Sequence, residues 1–470
     1  MALPADFEGL TAKYQTLGLE IVKSAAARRV LVLTHIDADG LCSGSVVFAS
    51  LMRKGVNVAV RTVPELDAGT IAILASQRYD LYIFTDLASS LISELESALG
   101  GRYLVIDHHQ IAEDDMKRPS VVNAWAYGYD GGAEACSSSM AYLFALALDP
   151  RNTDLSPLAV IGALADRQDR GPERSLIGLN KTAADDAGAA GLLTVSKDLL
   201  FTGRETRPIH ESVALTSTPY LRGLTGSKDS VLALLHQSGL QLKEGGSWRT
   251  ISSLTSEEKM KLTEVLASVV GGSAGASDAI SALVGDVFTL EPEDSFTPLR
   301  DAREFGTLLN SCGRMGASGT GIAICLGDRG AALKDALKTL GEYRLALNKA
   351  LDALANSGDR IERHGKVVFA RGEGVVEERL LGPVISILTS SPGFKDSVVV
   401  GSAASGESEI KVSAREGDAF AGEVNLGLVM REVAESVGGT GGGHSMAAGA
   451  KIPASAADRF YAAVAGRVGA

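Results

Sequence analysis

The chain has 470 residues, 45% of them hydrophobic and 22% charged, with a formal net charge of −12. That length leaves room for two or three domains with cores of their own, and the composition excludes a disordered or fibrous chain. The negative balance argues against nucleic-acid binding through a broad basic surface; a narrow groove with local Arg and Lys, or phosphate binding through metal ions, stays open.

The start, Met1-Ala2-Leu3-Pro4-Ala5-Asp6, lacks the blocks of a signal peptide, and no apolar run is long enough to span a bilayer, so a cytoplasmic location is expected. Cys42, Cys136, Cys312 and Cys325 are scattered without a CxxC pair, which fits a reducing compartment and argues against structural zinc. Helical spacing from about residue 7 to 28 leads into a short apolar strand, Val30-Leu31-Val32-Leu33, that ends in Thr34-His35-Ile36-Asp37-Ala38-Asp39-Gly40. A helix over Leu41 to Lys54 follows, then a strand over Val56 to Val60 that continues towards Val63. Leu81-Tyr82-Ile83-Phe84 runs into Thr85-Asp86, and Tyr103-Leu104-Val105-Ile106 into Asp107-His108-His109. Strands alternating with helices at this spacing predict a parallel sheet, and three of them end in potential metal ligands at one edge.

Helices are expected over about 133–148 and, apolar on all sides, over 158–165, the second ending in Asp166-Arg167-Gln168-Asp169-Arg170. From roughly 190 to 300 the chain reads as a mostly helical insert, with Thr255 and Glu258 forming a capping box. Asp301 to Leu309 looks helical with Gly313 as its stop, and a longer helix runs from about Ala331 to Asn356. Short strands over 366–369, 397–400 and 409–413 precede Gly438-Gly439-Thr440-Gly441-Gly442-Gly443-His444.

Taken singly, Asp37, Asp86 and Asp107 could each cap a helix. Capping does not explain His35 two residues before Asp37, Asp39 two after it, or the paired histidines after Asp107. Carboxylate and imidazole together suit a divalent ion of the manganese type, and so many donors at one edge point to two ions bridged by a carboxylate. Such a pair activates water and stabilises both oxygens of a phosphoryl displacement, so phosphoester or phosphoanhydride hydrolysis is the expected reaction class. His210, His236 and His364 lie outside motif-like settings, although His210 near Arg207 is a weak phosphate-contact candidate. The glycine run to His444 reads equally as a flexible linker or a phosphate cradle, and Arg415 as a solvated strand end or a phosphate clamp.

As an ordered set, His35 to Gly40, Asp86, Asp107-His108-His109 and Asp166 resemble the successive motifs of the DHH phosphoesterase superfamily. Lys411 to Arg415 and Gly441-Gly442-Gly443-His444 resemble the signature of its associated C-terminal domain. With the middle insert, the chain is most similar to the archaeal RecJ-like branch, which includes nucleases associated with the replicative helicase complex. The resulting fold expectation is α/β: a parallel-sheet DHH domain over 1–190, a mostly helical insert over 191–300, and a smaller C-terminal α/β domain over 301–470 closing a cleft.

The resemblance implies that His35, Asp37 and Asp86 hold one Mn2+ and Asp39, Asp86, His108 and Asp166 the other, with Mg2+ as an alternative. It implies that Asp107 orients His108, that His109 faces the scissile phosphate or leaving oxygen, and that Arg415, Gly441, Gly442, Gly443 and His444 bind phosphates. The expected function is a manganese-dependent exonuclease on single-stranded DNA or RNA, with hydrolysis of short oligonucleotides or cyclic dinucleotides as the alternative. Helicase-complex proteins are expected as partners, and no membrane; a replisome partner whose catalysis is secondary is the remaining reading.

Overall fold

The structure, a computed structural model, describes residues 5–23, 28–217, 219–221, 223–270, 280–356, 358–391, 393–417, 419–443 and 445–469. It divides into two compact units, Met1–Val213 with Asp229–Leu340, and Ala214–Lys228 with Gly341–Ala470.

The first unit is built on five strands, β1 (Arg29–His35), β2 (Asn57–Val63), β3 (Leu81–Thr85), β4 (Tyr103–Asp107) and β5 (Val121–Asn123), in the order β2-β1-β3-β4-β5. All neighbours run parallel. Helices α1 (Phe7–Lys23), α2 (Ala38–Arg53), α3 (Ala68–Ser76) and α4 (Ile92–Leu99) cover its two faces. The alternation of side chains along each strand decides which residues meet which helix. Val30, Val32, Ile83, Leu104 and Ile106 share a core with Leu41 and Val46 of α2. Leu31, Leu33, Tyr82, Phe84 and Val105 point the other way, into a core with Ile71 and Leu74 of α3 and Leu95 of α4. Burial on both faces is why these strands read as continuous apolar runs.

Strand order reverses direction between β1 and β3, the crevice at which α/β sheets bind ligands. The register places Thr34 opposite Thr85, and Thr85 opposite Ile106, so the strand ends that precede Asp86 and contain His35 and Asp107 lie level. A short α5 (Glu113–Met116) precedes β5, and α6 (Ser137–Leu148) and α7 (Ser156–Ala165) pack on α2 from the same side.

Beyond α8 (Gly178–Ala189), the region expected to be mostly helical contains α9 (Ile209–Leu215), α10 (Lys228–Ser238) and α11 (Ser256–Val270). It is framed by two strands absent from the sequence reading, β6 (Leu193–Leu199) and β9 (Val284–Leu290), paired antiparallel, with a small hairpin of β7 (Lys243–Glu244) and β8 (Ser247–Trp248) between them. The capping box at α11 forms in full: the Glu258 N–H donates to Thr255 Oγ1 at 3.2 Å and the Thr255 N–H to Glu258 Oε2 at 2.9 Å. His210 is buried, its ring 4.7 Å from that of Trp248.

Helix Ala302–Arg314 runs through Gly313, which is therefore not its stop. Phe305, Leu308, Leu309 and Cys312 on this helix join the α2 and α7 core. The first compact unit thus continues past residue 301, where the sequence reading opens its last domain.

The second unit holds a six-stranded mixed sheet, β10 (Ile361–His364), β11 (Val367–Arg371), β12 (Val398–Ser405), β13 (Glu409–Glu416), β14 (Thr440–Gly443) and β15 (Ala447–Pro453), in the order β10-β11-β12-β13-β15-β14. Helices Leu426–Ser436 and Ala457–Val468 pack on it through Leu426, Met430, Phe460 and Val464. The glycine run lies on edge strand β14 and is followed by strand β15, not by a helix start.

Candidate metal centre

At the β1 end, Asp37 is both helix cap and site residue. Its Oδ1 accepts the Gly40 N–H of α2 at 3.0 Å, while Oδ2 lies 2.9 Å from His35 Nδ1. Asp86 follows β3 with φ of 60°, a left-handed conformation that aspartate tolerates better than most residues. One of its oxygens, Oδ2, lies 3.5 Å from His35 Nδ1; the other, Oδ1, lies 3.3 Å from His108 Nε2 and 3.9 Å from His109 Nδ1. Asp86 therefore stands between the two histidine groups.

On the His108 side, Nε2 also lies 3.8 Å from Asp39 Oδ2 and 3.9 Å from Asp166 Oδ2. Asp39 sits in the first turn of α2 with its carboxylate at the N-terminus of α6, accepting the Ser137 and Ser138 N–H groups at 2.8 and 2.9 Å and the Ser138 hydroxyl. Only glycine fits at position 162 of α7, because a side chain there would collide with Ser138 and approach Asp39. Asp166 caps the C-terminal end of α7 and remains 35% exposed.

Asp107 was expected to orient His108; the geometry assigns it to His109 instead. Its Oδ1 accepts from His109 Nδ1 and from the His108 N–H, both at 2.8 Å, and from the His109 N–H at 3.3 Å. Its Oδ2 accepts the Ser89 hydroxyl at 2.6 Å and the Ser89 N–H at 3.2 Å. Five donors on a carboxylate with about four lone-pair sites leave it no coordination left to offer an ion. His108 is oriented by a backbone group, its Nδ1 2.5 Å from the Gly131 carbonyl oxygen.

Burial opposes charging His35, but Asp37 and Asp86 outweigh it and push its pKa up to about 10. Burial and the nearby Asp86 raise Asp39 to about 7. Burial also raises Asp166. For Asp37 and Asp107, burial is outweighed by the adjacent His35 and His109 respectively, and both carboxyls are held well below the usual range. His109 is raised, burial being outweighed by Asp107.

This concentration of carboxylates around imidazole nitrogens fits divalent cations. The donors of His35, Asp37 and Asp86 lie within 4.8 Å of one another, as do those of Asp86, Asp107, His108 and His109. Proximity alone includes Asp107 and His109 in the second group; the saturated oxygens of Asp107 set it apart, and Asp39 and Asp166 supply carboxylates at the same face of His108. Thus the structure brings together His35, Asp37, Asp39, Asp86, Asp107, His108, His109 and Asp166 in the first unit. Arg415 lies on β13, opposite Val399 and Ala447, and Gly441, Gly442 and Gly443 on β14. A side chain at Gly441 would collide with the Met430 carbonyl of the helix behind it, which accounts for that glycine by packing. His444 lies outside the described residues.

Three family models match the chain in sequence order: the DHH family N-terminal domain over residues 29–165, the DHH-CID domain over 200–284 and the DHHA1 domain over 364–470. The chain belongs to the DHH superfamily. An uncharacterized protein of Methanocaldococcus jannaschii is 27% identical over 430 residues, 90% of this chain and 89% of that protein. Among solved structures, RecJ of Thermus thermophilus in complex with Mn2+ superposes with a TM-score of 0.57 at 18% identity, covering 99% of this chain and 55% of RecJ. CDC45 of Entamoeba histolytica superposes with a TM-score of 0.66 at 12% identity, covering 98% of this chain and 99% of CDC45. The fold of this DHH protein is therefore RecJ-like, and the chain spans about half of the Thermus RecJ chain.

Several residues that shape the DHH site have no motif to announce them. Ser137 and Ser138 cradle Asp39, Gly131 orients His108, and Ser89 holds Asp107. Asn310 Oδ1 accepts the Ala38 N–H at 3.0 Å, bringing a helix about 270 residues downstream onto the Asp37 turn. The serine run Ser137-Ser138-Ser139 at a helix start was the one signal available.

Proposed function

We propose that this chain is a metal-dependent phosphodiesterase that degrades single-stranded DNA or RNA as an exonuclease, using two Mn2+ ions, with Mg2+ as a substitute. The observation that carries the reading is Asp86, whose two oxygens face separate imidazole groups as a bridging ligand must. His35, Asp37 and Asp86 would hold one ion, and Asp39, Asp86, His108 and Asp166 the other. Bound there, such ions supply a deprotonated water and charge stabilisation for an in-line displacement at phosphorus.

The rest falls to protein groups. His109, 41% exposed and oriented by Asp107, would touch the phosphate or give a proton to the leaving oxygen. Asp107 keeps that ring in one orientation. Arg415 and the glycines of β14 are proposed to bind further phosphates of the strand. RecJ, which shares the fold, has complexes with both Mn2+ and Mg2+, which supports a divalent ion of this kind.

A labelled single strand incubated with Mn2+ should shorten progressively. Confinement of activity to dinucleotides or cyclic dinucleotides would favour the alternative small-substrate reading. Asp86→Ala and His108→Ala should each lower hydrolysis by more than the roughly 100-fold typical of losing an outer-shell partner. Undiminished hydrolysis in both would refute the ligand assignment. The full-length likeness of fold to CDC45 supports a second reading, a partner-binding protein in which catalysis is secondary. Wild-type protein inactive on every phosphodiester with Mn2+ would favour it.

A further inference from the structure

We infer that Gln168 is a positioning residue for the His108 half of the metal centre, and that Asn180 sets the way Gln168 faces. The inference rests on the metal reading above and concerns a side chain that none of the motifs includes. Gln168 is fully buried two residues after Asp166, and its N–H is tied to the Ala163 carbonyl of α7 at 2.9 Å.

The orientation of its amide follows from groups that have no choice of role. The Cys136 N–H can only donate, so the Asn180 atom 3.1 Å from it is the oxygen. The Asn180 nitrogen then faces Gln168 at 2.7 Å, which requires an acceptor there, the Gln168 oxygen. The Gln168 nitrogen must therefore face the other way. There it meets two groups that accept, the Gly131 carbonyl at 2.9 Å and Asp166 Oδ2 at 2.8 Å. Each hydrogen of the amide has one of these acceptors, and a flipped amide would set oxygen against oxygen at Gly131 and Asp166 and nitrogen against nitrogen at Asn180.

Two elements of the site depend on this amide. The Gly131 carbonyl that takes one Gln168 hydrogen also accepts from His108 Nδ1, so two donors meet at one oxygen and Nδ1 lies 3.3 Å from Gln168 Nε2. That carbonyl keeps the His108 proton on Nδ1 and turns Nε2 towards Asp86. The second Gln168 hydrogen holds one oxygen of Asp166, a residue otherwise projecting from a helix end. The chain Cys136, Asn180, Gln168 thus begins one residue before Ser137, which holds Asp39, and ends on Asp166. It holds Asp166 directly and His108 through Gly131, two of the four proposed ligands of one ion, and has no hydrogen bond to His35 or Asp37.

The test is Mn2+ titration of the metal-free full-length protein, followed by calorimetry and by the electron paramagnetic resonance signal of free Mn2+, with circular dichroism as the check on folding. Wild type should bind two ions. Gln168→Leu removes the donor. Asn180→Asp, which touches no proposed ligand, should draw the Gln168 nitrogen to itself and turn the Gln168 oxygen against Asp166. Each should weaken one ion by about 10- to 100-fold and leave the other unchanged. His35→Ala should weaken the opposite ion, identifying which is which. Folded variants that bind two ions with wild-type affinity, or lose both alike, overturn the inference. So does loss of folded structure in both variants, which would make the pair a support of the core. If wild type takes up fewer than two ions, or Asp86→Ala keeps both, the metal reading itself fails, an outcome separate from failure of Gln168.

Discussion

Asp37 shows how one side chain can satisfy two readings of the sequence. One oxygen caps α2 and the other faces His35, because a carboxylate has lone pairs enough for both. The same arithmetic sets Asp107 apart, whose oxygens are filled by the Ser89 hydroxyl, His109 Nδ1 and three backbone N–H donors. Residue-level chemistry also sets the response to pH. With His35 pushed up to about 10 and Asp39 to about 7, the metal-free site holds protons at neutral pH that an ion must displace. The free protein thus carries more protons than the loaded one, and binding strengthens as pH rises. Each displaced proton makes the Mn2+ Kd fall about tenfold per pH unit. Calorimetry between about pH 6 and pH 8 in buffers of different ionisation enthalpy should show this fall and the released proton. A flat profile would show that the ligands are already deprotonated. Most of the proposed ligands were legible because they stand within a few residues of strand ends; Asp166, at the end of α7, was reached through the family resemblance. Gln168 and Asn180 were not, because folding alone brings together their partners, the Gly131 and Cys136 backbone groups and each other's amides.

At the scale of elements, Gly313 is the informative misreading. Glycine near a helix end suggests a stop, yet this one lies inside Ala302–Arg314 against the carbonyl of Ile36, between His35 and Asp37. Any side chain there would collide with that carbonyl. Gly313→Ala should therefore destabilise the protein by about 1–3 kcal/mol, as overpacking of a tight contact does. It should also weaken binding of the ion proposed at His35 and Asp37. Thermal unfolding read beside Mn2+ titration checks both; a wild-type Tm would mean that the helix can move aside. Strands β6 and β9 escaped the sequence reading for a related reason. Their partners are about 90 residues apart, and the exposed Thr194, Val195, Ser196 and Lys197 break the alternation that identifies a half-buried strand.

For the molecule as a whole, the net charge of −12 constrains how it can hold a polyanion. With that balance, attraction to phosphates is expected to come chiefly from bound cations, helped by local Arg side chains. Fluorescence anisotropy with a labelled single strand should thus show much stronger binding when divalent ions are present, in Asp107→Asn protein if wild type digests the probe. Binding of equal strength in chelator would assign recognition to the protein's own cations. The sequence by itself determined four of the five parallel strands and the candidate ligands at their ends, since buried strands must be apolar throughout and carry chemistry only where they stop, whereas β5, three residues long, gave no such run. Tertiary structure alone decided which histidine Asp107 serves, why position 313 is glycine, and which amide hydrogen reaches Asp166. Those outcomes depend on the direction of single donors and on contacts between distant segments, and a linear pattern of residue types carries neither.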